Sequence, residues 1–241
     1  MKSEIEVKTV DNLKIRANHL KNGHDQVVII CPGWFMTKDS KSLSNLAKDL
    51  SEIYDIISMD FRGHGKSEGF YTFTAREEHD LNAVVEFAQQ HYQKVSLLGF
   101  SLGGALVILH CAKDKQIHKC IAVSAPTEFF KIENHMYSPR AWYPTLFQKF
   151  EIKRWLSIRA GNPFLKKTNP LEVVQEVETP TLFIAGEKDP TVFTWHTKAL
   201  FTKANCKKSY LEFRNGNHAE DLYNDFRDEF LKACKTWLTE N

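Results

Sequence analysis

No apolar run in this 241-residue sequence approaches the length of a membrane span. The longest, Val27–Cys31 and Ala105–Leu109, fall far short of the roughly 20 residues a helix needs to cross a bilayer, so no membrane span is expected. Cysteine is scarce and unpatterned. The five residues Cys31, Cys111, Cys120, Cys206 and Cys234 are odd in number and widely spaced, and neither CxxC nor HxxxH occurs. That excludes a disulfide framework and argues against zinc, and leaves buried free thiols in a reducing cytoplasm as the expectation. Charge of one sign is also missing. Thirty-two Lys and Arg against 30 Asp and Glu leave a net +2, with no basic stripe to follow a nucleic-acid backbone. Met1–Lys8 alternates charged and apolar residues where a signal peptide would need an unbroken apolar segment, so no leader is expected.

What is present is globular: 42% apolar and 26% charged residues in a length that suits one domain. Glu4–Val10 and Leu13–Leu20 alternate apolar and polar residues about the turn Asp11-Asn12, which predicts a hairpin with one polar face. The pattern then changes to continuous apolar runs at Val27–Cys31, Asp55–Phe61, Val95–Phe100, Cys120–Ala125 and Thr181–Ala185, as strands buried on both faces require. Helical periodicity fills the intervals at Ser42–Ile53, Ala75–His91, Leu102–Ala112, Val192–Lys203 and Leu222–Leu238, with a strand-like stretch at Ser209–Arg214. Alternating strands and helices predict an α/β fold with a mostly parallel sheet and helices on both faces. One interval, Pro126 to Pro180, breaks the rhythm and carries Phe129, Phe130, Tyr137, Trp142, Tyr143, Phe147, Phe150, Trp155 and Phe164. A structureless loop of that length is improbable in a compact domain. The expectation is a core of residues 1–126 and 180–241 with an inserted cap over 127–179.

The chemistry centres on Gly99-Phe100-Ser101-Leu102-Gly103, which follows one apolar run and opens a helical one. This is G-x-S-x-G between strand and helix. The turn is so tight that the serine protrudes above the sheet edge, and only glycines fit two positions to either side. The helix N-terminus then directs N–H groups at the place where an oxyanion would develop. A serine hydroxyl needs a base and an orienting acid, and in this context the order is serine, acid, histidine. Downstream, Gly186-Glu187-Lys188-Asp189-Pro190 follows the strand Thr181–Ala185, and Gly216-Asn217-His218 follows Ser209–Arg214. Ser101, an acid from the first loop and His218 therefore fall at C-terminal strand ends, where open parallel sheets bind ligands. Of the other histidines, His64 is expected to be a hydrogen-bonded loop residue, His196 a surface or supporting residue, and His79, His91, His110 and His118 scaffold. Glu220 and Asp221 suit a helix start, Asp80 a structural helix position, and Cys31 a small buried hydrophobe.

On these residues, and on Asp60-Phe61-Arg62-Gly63-His64-Gly65-Lys66-Ser67, the chain from Val27 to Trp237 resembles the α/β-hydrolase superfamily of serine hydrolases. It looks most like the small-cap carboxylesterases, cinnamoyl or feruloyl esterases and monoacylglycerol lipases. The resemblance implies a D-x-R-G-x-G-x-S loop at Asp60–Ser67, an acid after strand seven and a histidine after strand eight. Asp189, at the family's Gly-x-x-Asp spacing, is thereby preferred to Glu187. It also implies an oxyanion hole formed by the backbone N–H groups of Leu102 and Trp34. The loop Cys31-Pro32-Gly33-Trp34 carries Pro32 where the family usually has histidine. The implied activity is carboxylic ester hydrolysis through an acyl-enzyme, needing no metal or organic cofactor. The implied partner is a small-molecule ester with an apolar acyl or aryl group, lodged near Phe35, Phe129, Tyr137 and Trp142. The same triad also serves peptidases, thioesterases, C–C hydrolases and acyltransferases, and the fold has non-catalytic binding members.

Overall fold

In the computed structural model the described residues are 1–133 and 155–240. Eight strands form one sheet: β1 Lys2–Lys8, β2 Lys14–Leu20, β3 Gln26–Cys31, β4 Asp55–Met59, β5 Lys94–Phe100, β6 Lys119–Val123, β7 Thr181–Gly186 and β8 Lys208–Phe213. Their order is β1-β2-β4-β3-β5-β6-β7-β8. The predicted hairpin is the antiparallel pair β1–β2, and β2 also runs antiparallel to β4. Every ladder from β4 to β8 is parallel. This is the α/β architecture that the alternation of runs predicts.

The apolar strands bury both faces, and their side chains divide with a period of two. Val27, Ile29 and Cys31 join one core with Leu97, Cys120 and Ala122, whereas Val28 and Ile30 join a second core with Leu98, Ile121 and Val123. The first core is covered by α2 (Glu77–Gln89) and α3 (Leu102–Lys113), the second by α1 (Lys41–Leu50) and the C-terminal helix Arg227–Thr239. From Leu102 to Ala112 every residue of α3 is buried, as expected of a helix that is apolar all round. Among the described residues no helix is long and apolar enough to cross a membrane. All five cysteines are free thiols; four are buried and Cys206 is half-buried, against the expectation of full burial.

Register brings the strand ends level. Cys31 lies opposite Gly99, Phe100 opposite Val123, and Gly186 opposite Phe213, so the loops after β3, β5, β6, β7 and β8 leave one edge of the sheet together. Helix limits differ from expectation by a few residues, α2 running Glu77–Gln89 rather than Ala75–His91. The predicted helix Leu222–Leu238 is two helices, Glu220–Asp225 and Arg227–Thr239. They meet at Phe226 (φ −127°, ψ 42°), whose ring packs against Phe213 with centroids 5.2 Å apart. Tertiary packing of that ring overrides a periodicity that continues through it.

Within 127–179 the described residues include the 3₁₀ turn Phe129–Lys131 and the short helix Pro170–Val173 with the turn Val174–Glu176 after it. Asn169 and Glu172 close a capping box at the start of that helix, and Pro170 occupies its first turn. Ala160 bridges to Tyr71, and Arg159 N–H donates to the Gly63 carbonyl. Arg159 and Ala160 are thus stitched to the loop after β4.

Candidate active site

Ser101 has φ 51° and ψ −119°, a left-handed conformation that L-residues adopt at a cost of about 1–3 kcal/mol. Two backbone bonds hold it there: its N–H donates to Val123 O (2.8 Å) and its carbonyl accepts from Ala105 N–H (3.0 Å). The flanking glycines are needed because a Cβ on Gly99 would come within 2.3 Å of Gly103 O, and one on Gly103 within 2.3 Å of Cys31 O and 2.4 Å of Pro32 O. Those contacts are with backbone, so α3 packs against the loop after β3 with no room for a methyl group. Gly103→Ala is expected to push that loop away from Ser101. A displacement near an ångström costs on the order of a hundredfold in rate, to be measured as kcat beside a melting curve that separates misplacement from unfolding.

His218 Nε2 lies 3.0 Å from Ser101 Oγ, and its Nδ1 lies 2.7 Å from Asp189 Oδ2. With the carboxylate as acceptor, Nδ1 carries the hydrogen and the Nε2 lone pair faces the serine hydroxyl. The other carboxylate oxygen, Oδ1, accepts N–H bonds from Thr191 and Val192, both 2.9 Å. Asp189 is therefore gripped at both oxygens and buried, whereas the His218 side chain keeps 21% of its surface exposed, which leaves it accessible from solvent. Glu187, its rival in sequence, is an exposed loop residue that accepts the Asn215 N–H. The loops after β7 and β8 touch through their backbones: a Cβ on Gly186 would meet Asn217 O at 2.2 Å, and Lys188 N–H donates to Gly216 O.

One residue of this assembly escaped the sequence reading. Ser124, at the end of β6 with φ 48°, accepts the Ala219 N–H on its hydroxyl (3.1 Å) and so fixes the residue after His218. Ala219 is itself left-handed, with φ 51°. A serine followed by Ala125-Pro126 carries no motif, so nothing in the sequence marked it.

The loop after β3 passes directly over the serine. A Cβ on Gly33 would stand 3.0 Å from Ser101 Cβ, which puts the loop at Trp34 beside Ser101. Among the described residues no acceptor takes the Trp34 N–H, and Leu102 opens α3, where the first N–H groups lack partners within the helix. The Trp34 ring stacks on Tyr71 (5.1 Å) and packs on Phe73 (4.8 Å) and Phe35 (5.8 Å). Phe73 continues to Phe129 (5.2 Å) and Phe35 to Trp155 (4.5 Å). Phe35 and Phe129, two of the expected pocket residues, thus join an aromatic surface continuous with Trp34; Tyr137 and Trp142 lie outside the described residues.

Of the two positions expected for His196, surface or supporting, it takes the supporting one, for it is fully buried. Its Nδ1 accepts from Thr127 Oγ1 (2.7 Å) and Thr127 N–H (3.1 Å), while Nε2 faces Lys131 O and Glu133, each at 3.2 Å. It pins the stretch from Thr127 to Lys131 to the helix Thr194–Lys203, and burial pushes its pKa down toward the neutral form these bonds need. Asp80 holds Arg62, Glu220 opens the helix after His218, and Cys31 is buried. His110 bonds to Asn82 across the α2–α3 contact. Among the described residues no three His, Cys, Asp or Glu side chains converge as metal ligands.

With this geometry in view, known proteins provide a comparison. The family model for the alpha/beta hydrolase fold matches residues 26–154. The human serine hydrolase BPHL is 26% identical over 243 residues, covering 89% of this chain and 79% of its own. Among solved structures, the Pyrococcus furiosus esterase Pf2001 superposes with TM-score 0.77 at 22% identity, covering 99% of this chain and 93% of the other. The esterase RhEst1 from Rhodococcus sp. ECU1013 superposes with TM-score 0.81 at 19% identity, each chain covered to 99%. At such identities the superpositions speak to the fold alone, but the family model spans more than half of the sequence. The chain belongs to the alpha/beta hydrolase fold family.

Proposed function

We propose that this protein is a serine hydrolase that cleaves carboxylic esters through an acyl-enzyme. The observation that carries the reading is the hydrogen-bonded series Ser101 Oγ, His218 Nε2, His218 Nδ1, Asp189 Oδ2, set on a left-handed turn at the sheet edge. His218 removes the Ser101 proton as Oγ attacks the carbonyl carbon, and the carbonyl oxygen becomes an oxyanion between the N–H groups of Trp34 and Leu102. His218 Nε2–H then protonates the departing alkoxide. A water, deprotonated by the same nitrogen, attacks the acyl carbon, and Ser101 leaves with the proton returned by His218. Asp189 holds the imidazole in the required tautomer and stabilises its charged form throughout. Residues 127–179 are the cap in this reading. The aromatic surface from Phe35 to Phe129 receives the apolar acyl or aryl group, gaining about 25 cal/mol per Å² of area removed from water. The names of its relatives, a serine hydrolase and two esterases, support the assignment. Five free thiols suit a reducing compartment, and the cytoplasm is the proposed location.

The test is labelling with a fluorophosphonate probe together with turnover of p-nitrophenyl esters of increasing acyl length. Labelling of the wild type but not of Ser101→Ala, with ester turnover, is expected. A wild type that neither reacts nor turns over ends the enzyme reading. Amides, thioesters or β-diketones cleaved far faster than any ester would end the ester assignment and leave the triad standing.

A further inference from the structure

We propose that His64 is a positioning residue for the oxyanion hole: it holds the Phe35 backbone, and through it the Trp34 N–H, in place. This rests on the serine-hydrolase reading above. Phe35 has φ 69°, in the left-handed region that a bulky L-residue enters only when its surroundings enforce it. Trp34, the proposed donor, is the preceding residue; its N–H lies one peptide before the Phe35 N–H, so a hold on the Phe35 N–H restrains it through the Trp34 backbone between them. His64 enforces the Phe35 conformation. The Phe35 N–H points to His64 Nε2 at 3.3 Å, and His64 Nδ1 faces Arg62 O, also at 3.3 Å. A carbonyl can only accept, so Nδ1 carries the hydrogen and Nε2 presents its lone pair to Phe35. The ring is buried and lies edge-on to Trp34 (5.2 Å) and to Tyr71 (4.6 Å).

The anchor behind His64 is rigid. Arg62 N–H donates to Asp80 Oδ2 (2.8 Å), and its guanidinium bonds to both Asp80 and Asp11. Two residues before Arg62, the buried Asp60 accepts the Lys38 N–H at 2.7 Å. The Asp60–Ser67 loop therefore grips the loop after β3 at two points, Phe35 and Lys38, which lie in successive turns of it. Of the two, the His64 contact is adjacent to the N–H that would face the oxyanion. This gives the histidine of the loop a task that its motif spacing does not reveal.

The experiment compares His64→Gln with His64→Asn, in the full chain, on p-nitrophenyl esters. Glutamine is long enough to present a carbonyl oxygen near the position of Nε2, and asparagine is not. H64N is expected to lose about 10- to 100-fold in kcat, with KM within about twofold, because the oxyanion forms after substrate binding. H64Q is expected to recover most of that loss. His64→Phe, which keeps a ring against Trp34 and Tyr71 but offers no acceptor, should behave as H64N. Equal kcat in H64N, H64Q and wild type overturns the proposal, and so does an equal loss in H64N and H64Q when both melt near the wild type. Should H64N be recovered only unfolded, kcat of H64F against H64Q decides by the same criterion. The two readings fail separately. Ester turnover that survives Ser101→Ala defeats the serine-hydrolase reading, whereas turnover that depends on Ser101 but is indifferent to His64 defeats this proposal alone.

Discussion

Ser101→Ala and His218→Ala are each expected to lower kcat for ester hydrolysis by about 10⁴- to 10⁶-fold, and the double variant to be no slower than either single one. The non-additivity is the informative part. In the proposed mechanism the serine attacks only as the histidine takes its proton, so the pair held by the 3.0 Å contact between Oγ and Nε2 should work as a unit, and removing either partner should remove the whole effect. Asp189→Asn should cost about 10⁴-fold, because an amide nitrogen facing Nδ1 favours the wrong tautomer. Substrate still binds and the Trp34 and Leu102 N–H groups remain, so about 10³- to 10⁴-fold acceleration over water should survive in all three variants. Melting temperatures should barely move for the alanine variants, since His218 is partly exposed and Ser101 gains freedom from its left-handed strain only if the backbone relaxes. The measurement is steady-state release of p-nitrophenolate by each variant. A double variant slower than both singles by the product of their losses would mean that the two side chains act independently.

How much of this was legible depended on where a residue sits relative to a strand end. Ser101, Asp189 and His218 could be read because each follows an apolar run, and parallel strands deliver such loops to one edge. The sheet was legible for the same reason, Val27–Cys31 being too short for a helix and too apolar for a surface. Illegible features depended on contacts between segments distant in sequence. Ser124 supports the His218 loop across 95 residues, with no spacing to signal it. His196 is buried by Thr127, 69 residues away, although its helical neighbourhood gives no sign of an inward face. The break at Phe226 has no glycine or proline to mark it; the ring there packs against Phe213 at the end of β8. The Asp60-to-Ser67 motif was recognised as a pattern, yet the bonds that Asp60 and His64 make to the loop after β3 emerged only from the structure.

Arg62 is where that loop meets the core, and Arg62→Met is expected to destabilise the protein by about 3–5 kcal/mol. The guanidinium is buried and bonds Asp80 at 2.7 and 2.9 Å and Asp11 at 2.8 Å. Removing it leaves the fully buried Asp80 carboxylate with no cation, which is the costly half of breaking a buried pair. Asp11→Asn should cost far less, because Asp11 stays a third exposed and water can replace what it loses. Pairing R62M with Asp80→Leu should recover only part of the loss. The leucine ends the unpaired charge but also abandons the Arg62 N–H, which donates to Asp80 Oδ2 at 2.8 Å. The single variant should also respond to pH in a defined direction. Burial raises the Asp80 pKa, and without Arg62 the largest opposing influence is gone. Between the unfolded carboxylate value near 4 and the raised folded value, the folded state then holds more protons than the unfolded state. Its stability must therefore fall as pH rises through that window. Urea denaturation at pH 5 and pH 8 should find the R62M penalty smaller at pH 5. A penalty that is equal at both, or larger at pH 5, would mean that Asp80 finds another cation or water once Arg62 is gone.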